Sequence, residues 1–263
     1  MTNHPARTRM LDGVHNFRDY GGYAVSGGGH VVHGKLWRSG QHFGASEADL
    51  DHIESLELAA IVDLRGPKER AKAPNPALPR SQPRVFETEQ DTANLMLKVN
   101  PVMRVEGSLA EVDAAMCAGY KVMPFNPALI EIMREHFHAL AKVDGAQLVH
   151  CLAGKDRTGL AVALTHHMLG VHHDDMMADY LLTNSAGNIE ARIAAGVKAI
   201  RAAHRDSLPE DAMRVIMSVR DEYLDIAFAE IRAQHGSINT YMHDVLEVDD
   251  AQADRIRTRF IVN

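Results

Sequence analysis

Apolar and polar positions alternate along the first part of the chain in short blocks, and later give way to longer blocks with helical spacing. Residues 22–38 read as two short strands, Tyr23-Ala24-Val25 and His30 to Trp37, joined by Ser26-Gly27-Gly28-Gly29, a hairpin pattern. Ser46, with Asp49 three residues later, predicts a capped amphipathic helix through Leu58. Residues 59–64, AAIVDL, form a short apolar run ending in charge, the mark of a buried central strand. The Pro-rich stretch Pro74–Pro83 is a connector, and a strand is expected at 84–87. Asn126-Pro127 predicts a helix start, Leu129 to Ala141 keep helical spacing, and Gly145 stops the helix. Residues 146–150, AQLVH, predict a strand, and Thr158–Leu169 an apolar helix. From Asp174 to Ile261 four or five helices follow. Strand–helix alternation before residue 170 and helices after it predict an α/β fold with a helical C-terminal half.

No repeat or long linker divides the 263 residues, so 1–263 reads as a single domain. Between 91 and 123 the pattern is patchy, with Met96, Met103, Met116 and Met123 suited to an irregular core or an adaptable surface. No apolar run approaches the roughly 18–20 residues of a membrane helix, and the N-terminal residues lack the apolar core of a secretory signal. A cytoplasmic protein is the expectation, with export by a signal-independent route left open. Two cysteines, Cys117 and Cys151, are too few for a disulfide scaffold. The formal charge of −7, from 28 Lys+Arg against 35 Asp+Glu, argues against nucleic acid as a partner. A small anion in one basic pocket is still compatible with it.

Residues 150–159, HCLAGKDRTG, point to such a pocket. A buried strand ends at His150, Cys151 follows, and a helix begins near Arg157. A turn of this kind aims backbone N–H groups of Leu152, Ala153, Gly154, Lys155, Asp156 and Arg157 at one centre beside the positive end of a helix. Arg157 adds a planar fork of donors, and Gly154 permits a backbone shape that a side chain would obstruct. A thiol in that field is easily ionised, and the Cys151 thiolate is a nucleophile for phosphorus. The Thr158 hydroxyl can donate to the sulfur, and His150 reads as a residue that supports the loop. A nucleotide-binding phosphate loop is disfavoured, because Asp156 rather than Ser or Thr follows Gly154-Lys155 and Val149 stands where its first glycine belongs. A metal centre at His166, His167, His172, His173, Asp174 and Asp175 is also disfavoured, since adjacent histidines face different sides of a helix. No metal and no cofactor is expected.

HCLAGKDRTG resembles the HCxxGKDRTG loop of cysteine-dependent phosphatases, whose general motif is HCx5R followed by Ser or Thr. Asn16-Phe17-Arg18-Asp19 with Gly21-Gly22, Leu36-Trp37-Arg38-Ser39, Val62-Asp63-Leu64-Arg65, Asp179-Tyr180-Leu181 with Asn184, Glu222-Tyr223-Leu224 and His235-Gly236-Ser237 narrow the resemblance to the bacterial tyrosine-phosphatase-like family. It implies a protein-tyrosine-phosphatase-like fold, a central, largely parallel sheet flanked by helices, with a helical lid insertion at 91–123. It also implies hydrolysis of phosphotyrosine, with phosphoserine, phosphothreonine and phosphoinositides as further substrates, through a phosphocysteine intermediate. For the general acid it suggests Asp156, with Asp91 as the alternative and Glu89 behind it. Lys155 is at a position that meets inositol phosphates in lipid phosphatases, whereas Leu152 replaces a second basic residue. The partners implied are phosphorylated proteins or phosphoinositides. The non-enzymatic alternative is a phosphoprotein- or phospholipid-binding module of the same fold.

Overall fold

The computed structural model describes residues 10–92, 108–186, 188–191, 193–194 and 210–263. Its main sheet has five strands: β1 (Arg18–Asp19), β3 (Leu36–Ser39), β4 (Leu58–Asp63), β5 (Arg84–Phe86) and β6 (Ala146–His150), in the spatial order β1-β3-β6-β4-β5. β3, β6, β4 and β5 run parallel, and only the edge strand β1 is antiparallel. All five residues of central β6 are buried, as a strand covered on both faces requires. Ala146 and Leu148 face a smaller core with Ile53, Leu58 and Phe17, while Val149 joins Val62, Leu64, Phe137 and Leu160 in the larger one. The register sets Ser39 and Asp63 opposite His150 on either side. Three strands therefore deliver their carboxyl ends to the residue before Cys151, where open α/β sheets bind ligands.

Helix α1 (Glu47–Ser55) has the expected capping box: Ser46 Oγ accepts the Asp49 N–H at 3.2 Å and Asp49 accepts that of Ser46 at 3.0 Å. It ends before Leu58, because Glu57 turns left-handed (φ +50°) and Leu58 is needed in β4. After α2 (Pro67–Lys72) and β5 come α3 (Leu109–Val122) and α4 (Pro127–Lys142), the latter capped by Asn126 as its sequence predicts. α5 (Asp156–Leu169) starts two residues ahead of Thr158. Beyond it lie α6 (His173–Leu181), α7 (Thr183–Ala186), α8 (Glu210–Met217), α9 (Asp221–His235), α10 (Ile238–Asp244) and α11 (Asp250–Phe260), more helices than the pattern alone predicts.

The expected hairpin is only half right. Ala24 bridges His30 across the Gly-rich turn, but residues 30–37 are not one strand. The Asp19 carboxylate accepts the N–H groups of Gly21 and Gly34, each at 2.7 Å, and turns the chain. β2 (His30–Val31) then pairs with the C-terminal strand β7 (Ile261–Val262), and Leu36–Ser39 joins the main sheet. Of the segment 91–123, residues 93–107, with Met96 and Met103, lie outside the described residues. Its second half is α3, whose Val112, Ala115, Met116, Gly119 and Tyr120 are buried.

Candidate active site

Cys151 is the first residue after β6, and the loop it opens closes at Asp156, where α5 begins. Gly154 takes φ +65°, and a Cβ there would be 2.4 Å from the Ser39 carbonyl oxygen, so the position demands glycine. The loop's carbonyls are held from outside. The Gln41 N–H donates to Leu152 O at 3.0 Å, and Arg38 Nη2 (3.0 Å) and Asn16 Nδ2 both donate to Gly154 O. Among the described residues the amides of Leu152, Ala153 and Gly154 have no acceptor. With the N-terminus of α5 alongside, they make a cradle of unspent donors beside Cys151, which is 2 % exposed.

The brace behind the cradle is itself buried. Arg18 Nε and Arg38 Nη1 reach the Asp179 carboxylate at 3.2 and 2.6 Å. Burial and the neighbouring Arg38 lower Arg18 to about 10, which leaves it a cation. Burial works against the Asp179 charge, but the two arginines hold its pKa far below the ordinary value.

Arg157 is fixed by a side chain that sequence reasoning missed. Its Nη1 and Nη2 donate to the two carboxylate oxygens of Glu69, in α2, at 2.7 and 2.8 Å. Nη1 also reaches Leu64 O (3.1 Å) and Thr92 Oγ1 (2.9 Å). A guanidinium carries five N–H groups, so Nε–H and the second N–H of Nη2 remain for an oxyanion. Burial opposes the Arg157 charge, yet Glu69 and the nearby Cys151 outweigh it and raise its pKa above the usual arginine value.

His150 sits under Cys151 in a defined tautomer. Asn75 Oδ1 accepts the His42 N–H at 3.0 Å, so Asn75 Nδ2 is the group facing His150 Nε2 at 3.0 Å. An amide nitrogen only donates. The imidazole therefore carries its proton on Nδ1 and gives it to the Cys151 carbonyl at 3.2 Å. Burial lowers the His150 pKa, with Asp63 opposing. The ring thus bonds both Asn75 and the first carbonyl of the loop. The Asp63–Arg65 ion pair (2.7 Å) and His42, stacked on His150 at 5.1 Å, complete this layer. Thr158 Oγ1, in the first turn of α5, is buried without a partner among the described residues.

Both acid candidates lie near the loop. Asp156 Oδ1 accepts a hydrogen bond from the Tyr120 hydroxyl and is ion-paired with Lys155 Nζ (3.2 Å). Asp91 pairs with exposed Lys68 at 3.8 Å and precedes Thr92, which touches Arg157. Glu89 turns away to Arg70. The Lys155 ammonium is buried against the carbonyls of Ile216 (2.5 Å) and Ser218 (3.2 Å), while Leu152 is 45 % exposed at the loop's rim. The clustered histidines separate. His166 bonds Tyr20 O, His167 bonds Asn239, His173 bonds Asp225, and His172 caps α6 next to Asp174. Cys117, in α3, is a free thiol, as is Cys151.

These features describe a mixed α/β protein that gathers unspent backbone donors and an anchored arginine around a cysteine at the carboxyl ends of its strands. A sequence model of the tyrosine phosphatase family matches residues 9–262. A candidate tyrosine-protein phosphatase of Cupriavidus necator is 35% identical over 244 residues, covering 92% of this chain and 85% of its own. The triple specificity protein phosphatase PtpB of Mycobacterium tuberculosis is 26% identical over 281 residues, covering 95% and 97%. The solved structure of P. aeruginosa TpbA shares 18% identity at a TM-score of 0.35, covering 82% of this chain and 99% of that one. The chain belongs to the tyrosine phosphatase family. It is a phosphatase, a hydrolase of phosphoric monoesters.

Proposed function

We propose that the chain hydrolyses phosphotyrosine, with phosphoserine, phosphothreonine and phosphoinositides as further substrates, through a phosphocysteine on Cys151. The observation that carries this reading is the set of unspent donors around the thiol. The amides of Leu152, Ala153 and Gly154, with Nε–H and one Nη2–H of Arg157, suit the equatorial oxygens of a phosphoryl group. The Cys151 thiolate attacks phosphorus as the ester P–O bond breaks, and Asp156 protonates the departing oxygen, with Asp91 as the alternative acid. Water then attacks phosphorus, the S–P bond breaks, and the acid recovers a proton from that water. The Thr158 hydroxyl stabilises the departing thiolate. Neither step calls on a metal or a cofactor.

The breadth of protein substrates is supported by the mycobacterial relative, which is named for triple specificity. Phosphoinositide turnover rests on the HCxxGKDRTG resemblance alone, because the Lys155 ammonium is spent on backbone carbonyls. In the same reading residues 1–263 are one phosphatase domain, and α3, in the described part of 91–123, brings Tyr120 to Asp156. An assay on 4-nitrophenyl phosphate, on phosphotyrosine, phosphoserine and phosphothreonine peptides, and on phosphoinositides tests it. Turnover should vanish in Cys151→Ser, by at least about 1,000-fold. Retained turnover in that variant contradicts the mechanism, and phosphate binding without turnover in the native protein favours a binding module instead.

A further inference from the structure

Asp156 has partners on one of its carboxylate oxygens only. Oδ1 receives the Tyr120 hydroxyl and is ion-paired with Lys155 Nζ, whereas Oδ2 has no partner among the described residues. The carboxylate side chain is 24 % exposed although both partners are buried, so the open side of the group is the Oδ2 side. Proton counting fixes the direction of the bonds. A carboxylate oxygen only accepts, so the single hydroxyl proton of Tyr120 goes to Asp156. The 2.6 Å contact between the Tyr120 and Tyr180 hydroxyls must then use the proton of Tyr180. Burial, and after it the charge of Asp156, push the Tyr120 pKa well above that of a free phenol, so Tyr120 is a permanent donor.

The same chain of contacts accounts for the last glycine of the HCLAGKDRTG segment. A Cβ on Gly159 would lie 2.7 Å from Cε2 and 2.9 Å from Cδ2 of Tyr180, so the bare helix surface there is the seat of the Tyr180 ring. Tyr120 is fixed on its other side by stacking on Tyr223 at 5.2 Å, and the Tyr223 hydroxyl donates to Asp113 at 2.8 Å.

We propose that Tyr120 is a positioning residue for the general acid: with Lys155 it occupies Oδ1 of Asp156, which makes Oδ2 the oxygen that carries and transfers the proton, and Tyr180 seated on Gly159 holds it there. In the acid form Oδ1 is the carbonyl oxygen and still accepts the Tyr120 hydroxyl. Oδ2–H then gives its proton to the ester oxygen as the P–O bond breaks, and Oδ2 takes one from the water that cleaves phosphocysteine. The inference rests on Asp156 being the acid.

The test is kcat/KM, which reports the first step, for phenyl, 4-nitrophenyl and 2,4-dinitrophenyl phosphate. The proteins are the native chain, Asp156→Asn, Tyr120→Phe, Gly159→Ala and the Tyr120→Phe/Asp156→Asn double variant. Tyr120→Phe should lose roughly tenfold on phenyl phosphate and less than about twofold on the dinitrophenyl ester, which needs no acid. The double variant should be no slower than Asp156→Asn alone. A loosened fold lowers all three esters together, so an equal loss across the series, or none, overturns the proposal. If Asp156→Asn shows the graded loss and Tyr120→Phe does not, only the role of Tyr120 falls. If Asp156→Asn is itself ungraded, Asp156 is not the acid and the proposal falls with it. Should Tyr120→Phe fail to fold, Gly159→Ala, which keeps every polar group and displaces Tyr180, must show the same graded loss, and an even loss in it overturns the proposal.

Discussion

At the scale of single residues, the arrangement around Cys151 is a division of labour among donors. Arg157 turns three acceptors, Glu69, Thr92 and Leu64 O, to its anchored edge and keeps another edge open. Glu69 is the largest part of that anchor because it takes both terminal nitrogens. Glu69→Gln replaces one accepting oxygen by a donor and cannot keep the fork. A guanidinium displaced by an ångström costs up to about 100-fold in rate. The variant should lose kcat/KM by 10- to 100-fold, in the order of that estimate, and its inhibition by orthovanadate should weaken in parallel. Unchanged vanadate affinity would show that Glu69 does not orient Arg157.

At the scale of elements, the site depends on where strands end. β3, β6 and β4 stop in register, and the loop after β6 fits only because Gly154 lies flat against Ser39 and Gly40. Gly154→Ala must move either the loop or β3, and a residue held at positive φ adds about 1–3 kcal/mol of strain. A fall in the urea midpoint together with near-complete loss of activity is expected, and a normal midpoint with normal activity would refute the fit. This level of structure was readable in part. The strand–loop–helix unit at 146–169 is contiguous, so its apolar run, its glycine and its Cys-to-Arg spacing lie together in the sequence. The residues that complete the site do not. Glu69 is 88 positions from Arg157, Asn75 is 75 from His150, and Tyr120 is 36 from Asp156. No local pattern distinguishes Glu69 from an ordinary first-turn acid or Asn75 from any residue of a Pro-rich connector. The segments Asn16–Asp19 and Asp179–Leu181 stood out in the sequence, but only tertiary contact reveals Arg18, Arg38 and Asp179 as one buried brace. β7 is missed for a simpler reason: two residues are too few for an alternating pattern.

At the scale of the whole molecule, the chain is acidic, with 28 Lys+Arg against 35 Asp+Glu. Among the described residues no helix is long and apolar enough to cross a membrane. The buried ionisable groups also set the acid stability of the fold. Burial, and for His42 the adjacent His150, lower the pKa of His42 and His136 to about 3. In the unfolded chain both titrate near about 6.5. Between those limits the unfolded state binds protons that the fold refuses, so stability is complete above pH 6.5 and falls as the pH drops towards 3. The slope should approach about two protons, roughly 2.7 kcal/mol per pH unit. Asp179, whose folded pKa is depressed by its arginines, contributes stability that is present above about pH 4 and is lost below it. Urea midpoints that stay level from pH 7 to pH 4.5 would contradict this assignment.

In the proposed reaction the phosphoryl group passes through the sulfur of Cys151. Rapid quenching of the native protein during turnover of a radiolabelled phosphotyrosine peptide, followed by peptide mapping, tests it most directly. One phosphoryl group is expected on the peptide that contains Cys151, formed and consumed at the rate of turnover and absent in Cys151→Ser. Label on another residue, or full turnover with no labelled intermediate in a quench fast enough to capture it, would rule out a phosphocysteine on Cys151.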